Sequence, residues 1–239
     1  MGGPLTVEDL AGLYLDLQEH GAENINIVTG TQFLPAILQA YESARSRGLR
    51  LRLVWNSSGY ETLPAIAAVA PCTSFFLPDL RTLDHEVSRR YLRASDYPER
   101  ATAAVLAMAD ARPLRWQRDD LVEGTIVRHL VLPGSLEDTR RVLTWFGENL
   151  RGKALLSLMF QYTPVPGHEL PAPFDRMASV EEYEAAIALL SELGIDDGFY
   201  QEPIPDNGWL PDFTRDRPFS SELSKMLWHF RDGAPRGSA

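Results

Sequence analysis

Four short polar stretches end apolar runs in this chain, and their residues are of the kinds that grip or orient a small charged ligand. Thr29-Gly30-Thr31-Gln32 offers hydroxyls and a backbone open to close approach, and Asn56-Ser57-Ser58-Gly59 offers a dense set of amide and hydroxyl groups. Either stretch serves equally as a turn or helix cap, since Thr, Ser, Asn and Gly do that routinely. Leu77-Pro78-Asp79 sets a carboxylate directly after an apolar run, with Arg81 just beyond, so Asp79 can hold a ligand ammonium or a cation, or simply pair with arginine. Arg128 and His129 are adjacent within an apolar strand pattern and must point to opposite faces. An inward arginine is costly unless a carboxylate or ligand satisfies it, so a polar interior follows in either case.

The elements that carry these stretches alternate in the manner of repeated βα units. Thr6 begins a helix that Gly21 stops. Strand patterns follow at 24–28, 51–55, 74–77, 124–132 and 154–160, with helical patterns at about 33–47, 61–70, 84–92, 96–111 and 136–150. Short continuous apolar runs, each followed by a helix, fit parallel strands covered on at least one face. In such folds ligands gather at the carboxyl ends of the strands, where all four stretches lie. The expected architecture is α/β, an open partial (β/α) barrel related to the TIM barrel that lacks its first strand, with the strand at 24–28 as an unpaired edge. Residues 1–170 form this core. Residues 171–239 form an extension on the same domain, with a helix at about 179–193, a brief strand near GFYQE and an ordered wrap rich in aromatics (Trp209, Phe213, Phe219, Leu223, Leu227, Trp228, Phe230) before a frayed end.

Composition narrows the chemistry. The 239 residues are 44% hydrophobic, enough for one sizeable domain. A net charge of −10 offers no footprint for nucleic acid or an anionic membrane. No apolar stretch reaches the roughly 18 residues of a membrane span, and the start lacks a signal-peptide pattern, so a cytoplasmic protein is expected. Cys72 is the single cysteine, which rules out a disulfide or a cysteine-held cluster within one chain; no cationic neighbour is visible in sequence, so an inert thiol is expected. His20, His85, His129, His168 and His229 show no HxxxH or HExxH spacing.

Taken in order, ENINIVTGTQFLP, WNSSGYE, FFLPDLRTLD, SDYPERA, VRHLVLPG and SLMFQYTPV resemble the radical S-adenosylmethionine (SAM) proteins of the pyruvate formate-lyase activating enzyme-like family, over roughly residues 5–165. Relatives usually read VTPTHF and YNTSGYE, so Gly30, Gln32, Trp55 and Ser57 are departures. The resemblance implies SAM over the strand ends. Thr29 and Thr31 border it, Asn56, Ser57 and Asp79 form a polar cluster near its amino-acid moiety, Arg128 meets its carboxylate or ribose, and Gln161 and Tyr162 close the adenine side. A monovalent cation at Asp79 and Asn56 is compatible with that arrangement. In the family, three cysteines in a CxxxCxxC loop hold a [4Fe-4S] cluster. The reduced cluster cleaves SAM to a 5′-deoxyadenosyl radical that abstracts hydrogen, often from a protein glycine.

Those thiolates are not in this sequence, and Met1–Thr6 resembles the segment that follows the cysteine loop in relatives. This implies truncation, a misplaced start codon or true loss, and an inactive chain by itself. The expected function is therefore a radical SAM oxidoreductase represented without its cluster ligands, with SAM and a protein substrate as partners. The alternative is a degenerate, non-catalytic SAM- or nucleoside-binding protein. A hydrolase or lyase built on Asp79 and Arg128 has no Ser-His-Asp, HExxH or phosphate-loop motif behind it.

Overall fold

The computed structural model describes residues 3–165, 167, 169–202 and 228. Residues 3–25 and 35–51 belong to one compact unit, and residues 26–34 and 52–202 to another.

In the first unit, α1 (Val7–Glu19) starts at a reciprocal cap: the Thr6 hydroxyl accepts from the Asp9 N–H while the Asp9 carboxylate accepts from the Thr6 N–H. From Pro35 onward, α2 (Leu34–Ser46) runs to a turn closed by Gly48 at φ +100. Ala11, Tyr14, Ile37, Ala40, Tyr41, Ala44 and Leu49 are buried. Ser43 donates to the Glu8 carboxylate at 2.9 Å, and Gln18 bridges Gly48 O and Arg50 N at 3.2 and 2.6 Å.

The second unit holds the sheet. In chain order its elements are β1 (Ile25–Val28), β2 (Leu53–Ser57), α3 (Leu63–Val69), β3 (Thr73–Pro78), the single turn α4 (His85–Val87), α5 (Tyr97–Ala111), β4 (Arg115–Gln117), β5 (Asp120–Leu130), α6 (Leu136–Asn149), β6 (Leu155–Met159), α7 (Val180–Glu192) and β7 (Gly198–Tyr200). Strand order is β1-β2-β3-β5-β6-β7, and the β2–β3, β3–β5, β5–β6 and β6–β7 pairs are parallel. This is the mostly parallel α/β sheet expected from the apolar runs, open at β1 and β7 among the described residues. On β1, Val28 is exposed while Ile25 is buried. α7 and β7 continue the sheet past residue 170. Of the expected aromatic wrap only Trp228, half-buried, falls among the described residues; the rest lies outside them.

Two features differ from the sequence expectation. The passage after α5 forms a hairpin, β4 pairing antiparallel with an extended β5. Its signal is weak because Arg115, Trp116 and Gln117 are all exposed, so no alternation betrays the strand, and the turn uses Arg118 at φ +57 where glycine or asparagine would be the usual cue. After α4 the chain widens into a π-helical turn, Ser88–Leu92, that ends at Arg93 with φ +55.

Between α5, α6, α7 and the sheet lies a core that includes Leu80, Val105, Val127, Leu143, Phe146 and Leu158. His129 is buried within this layer, on the face opposite Arg128, as strand alternation requires. Its Nδ1 lies 2.8 Å from Leu80 O, which can only accept, so Nδ1 carries the proton; Nε2, 3.1 Å from Thr139 Oγ1, then accepts from that hydroxyl. Burial pushes the imidazole below its ordinary value. The folded state therefore keeps a neutral ring where the unfolded chain takes up a proton, and stability is lost as pH falls through the unfolded pKa near 6.5. Urea unfolding at pH 7 and pH 5 should show an excess loss approaching ~1.4 kcal/mol per pH unit below that point. His129→Gln should remove the excess slope, and identical pH slopes in the two proteins would sink this account.

Candidate functional site

Asp79 is fixed by its backbone before its side chain does anything. As β3 ends, the Asp79 N–H donates to Ser57 O at 2.9 Å, and the Leu80 N–H donates to Arg128 O at 2.8 Å, which ties the turn to β2 on one side and β5 on the other. The carboxylate then meets two guanidinium groups. Oδ2 accepts from Arg81 Nη2 at 3.1 Å and Nε at 3.3 Å. Oδ1 lies 2.6 Å from Arg128 Nη2, an ion pair whose geometry falls short of a hydrogen bond, while Arg128 Nη2 donates to Asn56 Oδ1 at 2.7 Å. Asp79 Oδ1 and Arg128 Nε are thus buried with no hydrogen-bond partner among the described residues. Both side chains keep a minor exposed part, 16% and 24%.

This pair closes the polar end of a cavity of about 380 Å³ that is also lined by Arg81 and Gln161. Its remaining wall is apolar, formed by Leu130, Leu132 and Met159 at the ends of β5 and β6. Tyr91 and Leu92 also line it, delivered by the π-helical turn. Tyr162 lines the cavity and donates to Phe174 O at 2.7 Å; Tyr91 meets the Phe174 ring edge-on at 4.8 Å. Burial, and after it the nearby Asp175 carboxylate, raises the Tyr162 phenol above its ordinary pKa, so it remains a donor at neutral pH.

Of the residues singled out in sequence, Asp79, Arg128, Gln161 and Tyr162 line one cavity, and Asn56 joins them through Arg128. Thr29, Thr31 and Ser57 are engaged elsewhere. Thr29 adopts φ +55 and its N–H donates to Asn56 O at 2.9 Å. Thr31 Oγ1 donates at 2.6 Å to Glu61, a buried carboxylate that also accepts from Trp55 Nε1 at 2.9 Å. Ser57 Oγ accepts from the Gly59 N–H at 3.2 Å. The sequence reading passed over Tyr91, Leu92 and Met159 as ligand-facing groups, and nothing in their local pattern separates them from ordinary core residues.

Among the described residues the cavity lining is compatible with SAM, whereas no group of them fits a cluster. A carboxylate and two guanidinium groups line one end of the cavity and apolar and aromatic side chains much of the rest, which suits a zwitterionic head on a body with a flat ring. By contrast, no group of three or more His, Cys, Asp or Glu is placed to hold a metal ion among the described residues. Cys72 precedes β3 while Asp79 follows it, so the thiol sits about 20 Å away at the opposite end of the sheet. The expectation that Cys72 lacks a cationic neighbour is corrected: it lies within electrostatic reach of Arg112, which the fold brings from the far end of α5.

No protein-family model matches the chain. An uncharacterized protein of Methanocaldococcus jannaschii is 24% identical over 176 residues, covering 73% of this chain and 48% of the relative, so the chain spans about half the length of that curated relative. Among solved structures, a domain of pyruvate-formate lyase-activating enzyme from Bacteroides vulgatus superposes with a TM-score of 0.54 at 11% identity, over 76% of this chain and 100% of that domain. A radical SAM methyltransferase from Sphaerobacter thermophilus superposes with a TM-score of 0.58 at 16% identity, over 82% of this chain and 57% of the methyltransferase. The chain therefore has the α/β fold found in radical SAM proteins.

Proposed function

We propose that the cavity at the strand ends binds SAM and that the chain forms the SAM-facing wall of a radical SAM enzyme. The observation that carries this is the Asp79–Arg128 ion pair, which lines the polar end of a largely apolar cavity at the strand ends of a radical SAM-type fold. In this reading Asp79 takes the ligand ammonium, Arg128 its carboxylate or ribose, and Tyr91 and Tyr162 flank the adenine. Bound SAM would supply the 5′-deoxyadenosyl group for hydrogen abstraction from a substrate, a protein glycine being one class. Asn56 holds Arg128 in register, and the ring of Tyr162, tied to Phe174 O, excludes water from the cavity wall. The lone Cys72, at the far end of β3, supports a second reading for this chain by itself: SAM or nucleoside binding without radical chemistry.

Calorimetric titration of SAM and S-adenosylhomocysteine tests the assignment. Charge-assisted contacts are worth about 1.5–3 kcal/mol each, so Asp79→Asn and Arg128→Met should each weaken binding by ~10-fold or more with the circular dichroism of the fold retained. Wild type failing to bind at millimolar ligand refutes the site, and variants that match wild type show it to be misplaced.

A further inference from the structure

The turn that carries Asp79 is held from below by a buried phenol. Tyr97, the first residue of α5, is 2% exposed, and its hydroxyl lies 2.9 Å from Ser58 O and 2.9 Å from Asp79 O. The same oxygen accepts from the Arg81 N–H at 3.1 Å. One hydroxyl proton thus serves two carbonyls from different strand ends, while a lone pair fixes the residue whose guanidinium returns to Asp79 Oδ2. Burial raises the phenol above its ordinary pKa, so the donor persists at neutral pH. The β2 loop reaches this position because Gly59 has no side chain: a Cβ there would stand 2.2 Å from Asp79 O. The loop, the turn and the phenol therefore share one tight contact beneath the charged end of the cavity.

We propose that Tyr97 is a positioning residue. Through Asp79 and Arg81 its hydroxyl sets the placement of the cavity's charged end and, with it, the affinity for an adenosyl amino-acid ligand. The affinity half of this inference rests on the SAM-binding reading above, whereas the placement half stands without it.

Tyr97→Phe is the direct test, since the phenyl ring keeps its packing and its stack on Tyr60 at 5.9 Å. Two readouts are needed. In amide hydrogen exchange, Arg81 should exchange about tenfold faster in Tyr97→Phe, with the amides of residues 126–130 unchanged. In titrations with S-adenosylhomocysteine, Tyr97→Phe should raise Kd about tenfold, and that effect should vanish in an Asp79→Asn background. A residue that merely supports the fold would weaken both backgrounds equally, and equal losses overturn the inference. So does an Arg81 amide whose exchange is unchanged. If wild type binds neither SAM nor S-adenosylhomocysteine, the SAM-binding reading and the affinity half fall together, while Arg81 exchange still decides whether Tyr97 holds the turn.

Discussion

Gly59→Ala is expected to destabilise the protein by about 3 kcal/mol or more, because two separate penalties meet at one atom. The residue adopts φ +75, where an L side chain is strained, and the new Cβ would stand 2.2 Å from the Asp79 carbonyl oxygen. That neighbour is backbone, pinned by the Ser57, Arg128 and Tyr97 contacts, and cannot swing aside as a side-chain tip would. Urea unfolding should show a lower midpoint with an unchanged m-value. A loss under about 1 kcal/mol would mean the turn yields freely, contrary to the tight contact described above.

Glu61→Ala should come next in size. The carboxylate is 6% exposed and accepts from Thr31 Oγ1 at 2.6 Å and from Trp55 Nε1 at 2.9 and 3.1 Å. Trp55 is itself buried, so its N–H cannot turn to water when the acceptor is removed. Hydrogen bonds to a charged group contribute about 1.5–3 kcal/mol, and an orphaned buried donor adds its desolvation penalty, so a total near 3 kcal/mol is expected. Glu61→Gln keeps acceptor capacity on one side and should recover roughly half. Should the alanine and glutamine variants unfold at the same denaturant concentration as wild type, this network contributes no net stability.

The sheet and its helices were legible because their signals are local. Thr6 announces α1, and the apolar runs at β2, β3, β5 and β6 have nothing to be but covered parallel strands. The opposite fates of Arg128 and His129 were likewise readable from strand alternation alone. What escaped is non-local. Thr31 and Glu61 lie 30 residues apart, and each reads singly as a cap or a surface group. Asp79 and Arg128 were each conspicuous, but their union depends on β5 lying beside β3, past a hairpin that breaks the βα rhythm. The π-helical turn is invisible for another reason: one extra residue per turn leaves the composition of a helix unchanged while rotating Tyr91 and Leu92 toward the cavity.

The chain-order adjacency of the parallel strands bears on how freely this architecture can diversify. Closing a flexible loop costs only ~0.6 kcal/mol more for each doubling of its length. The long crossover from β3 to β5, with its π-helical turn, α5 and hairpin, is thus scarcely more expensive in chain entropy than the compact crossover from β2 to β3. That crossover supplies Tyr91, Leu92 and Tyr97, two of them lining the cavity and the third anchoring its floor. Between β3 and α5, outside the buried face of α5 and its Tyr97 anchor, residues can be added, deleted or exchanged at small cost in chain entropy, so ligand preference can drift there while Asp79 and Arg128, held by the strand ladder and Tyr97, stay where they are.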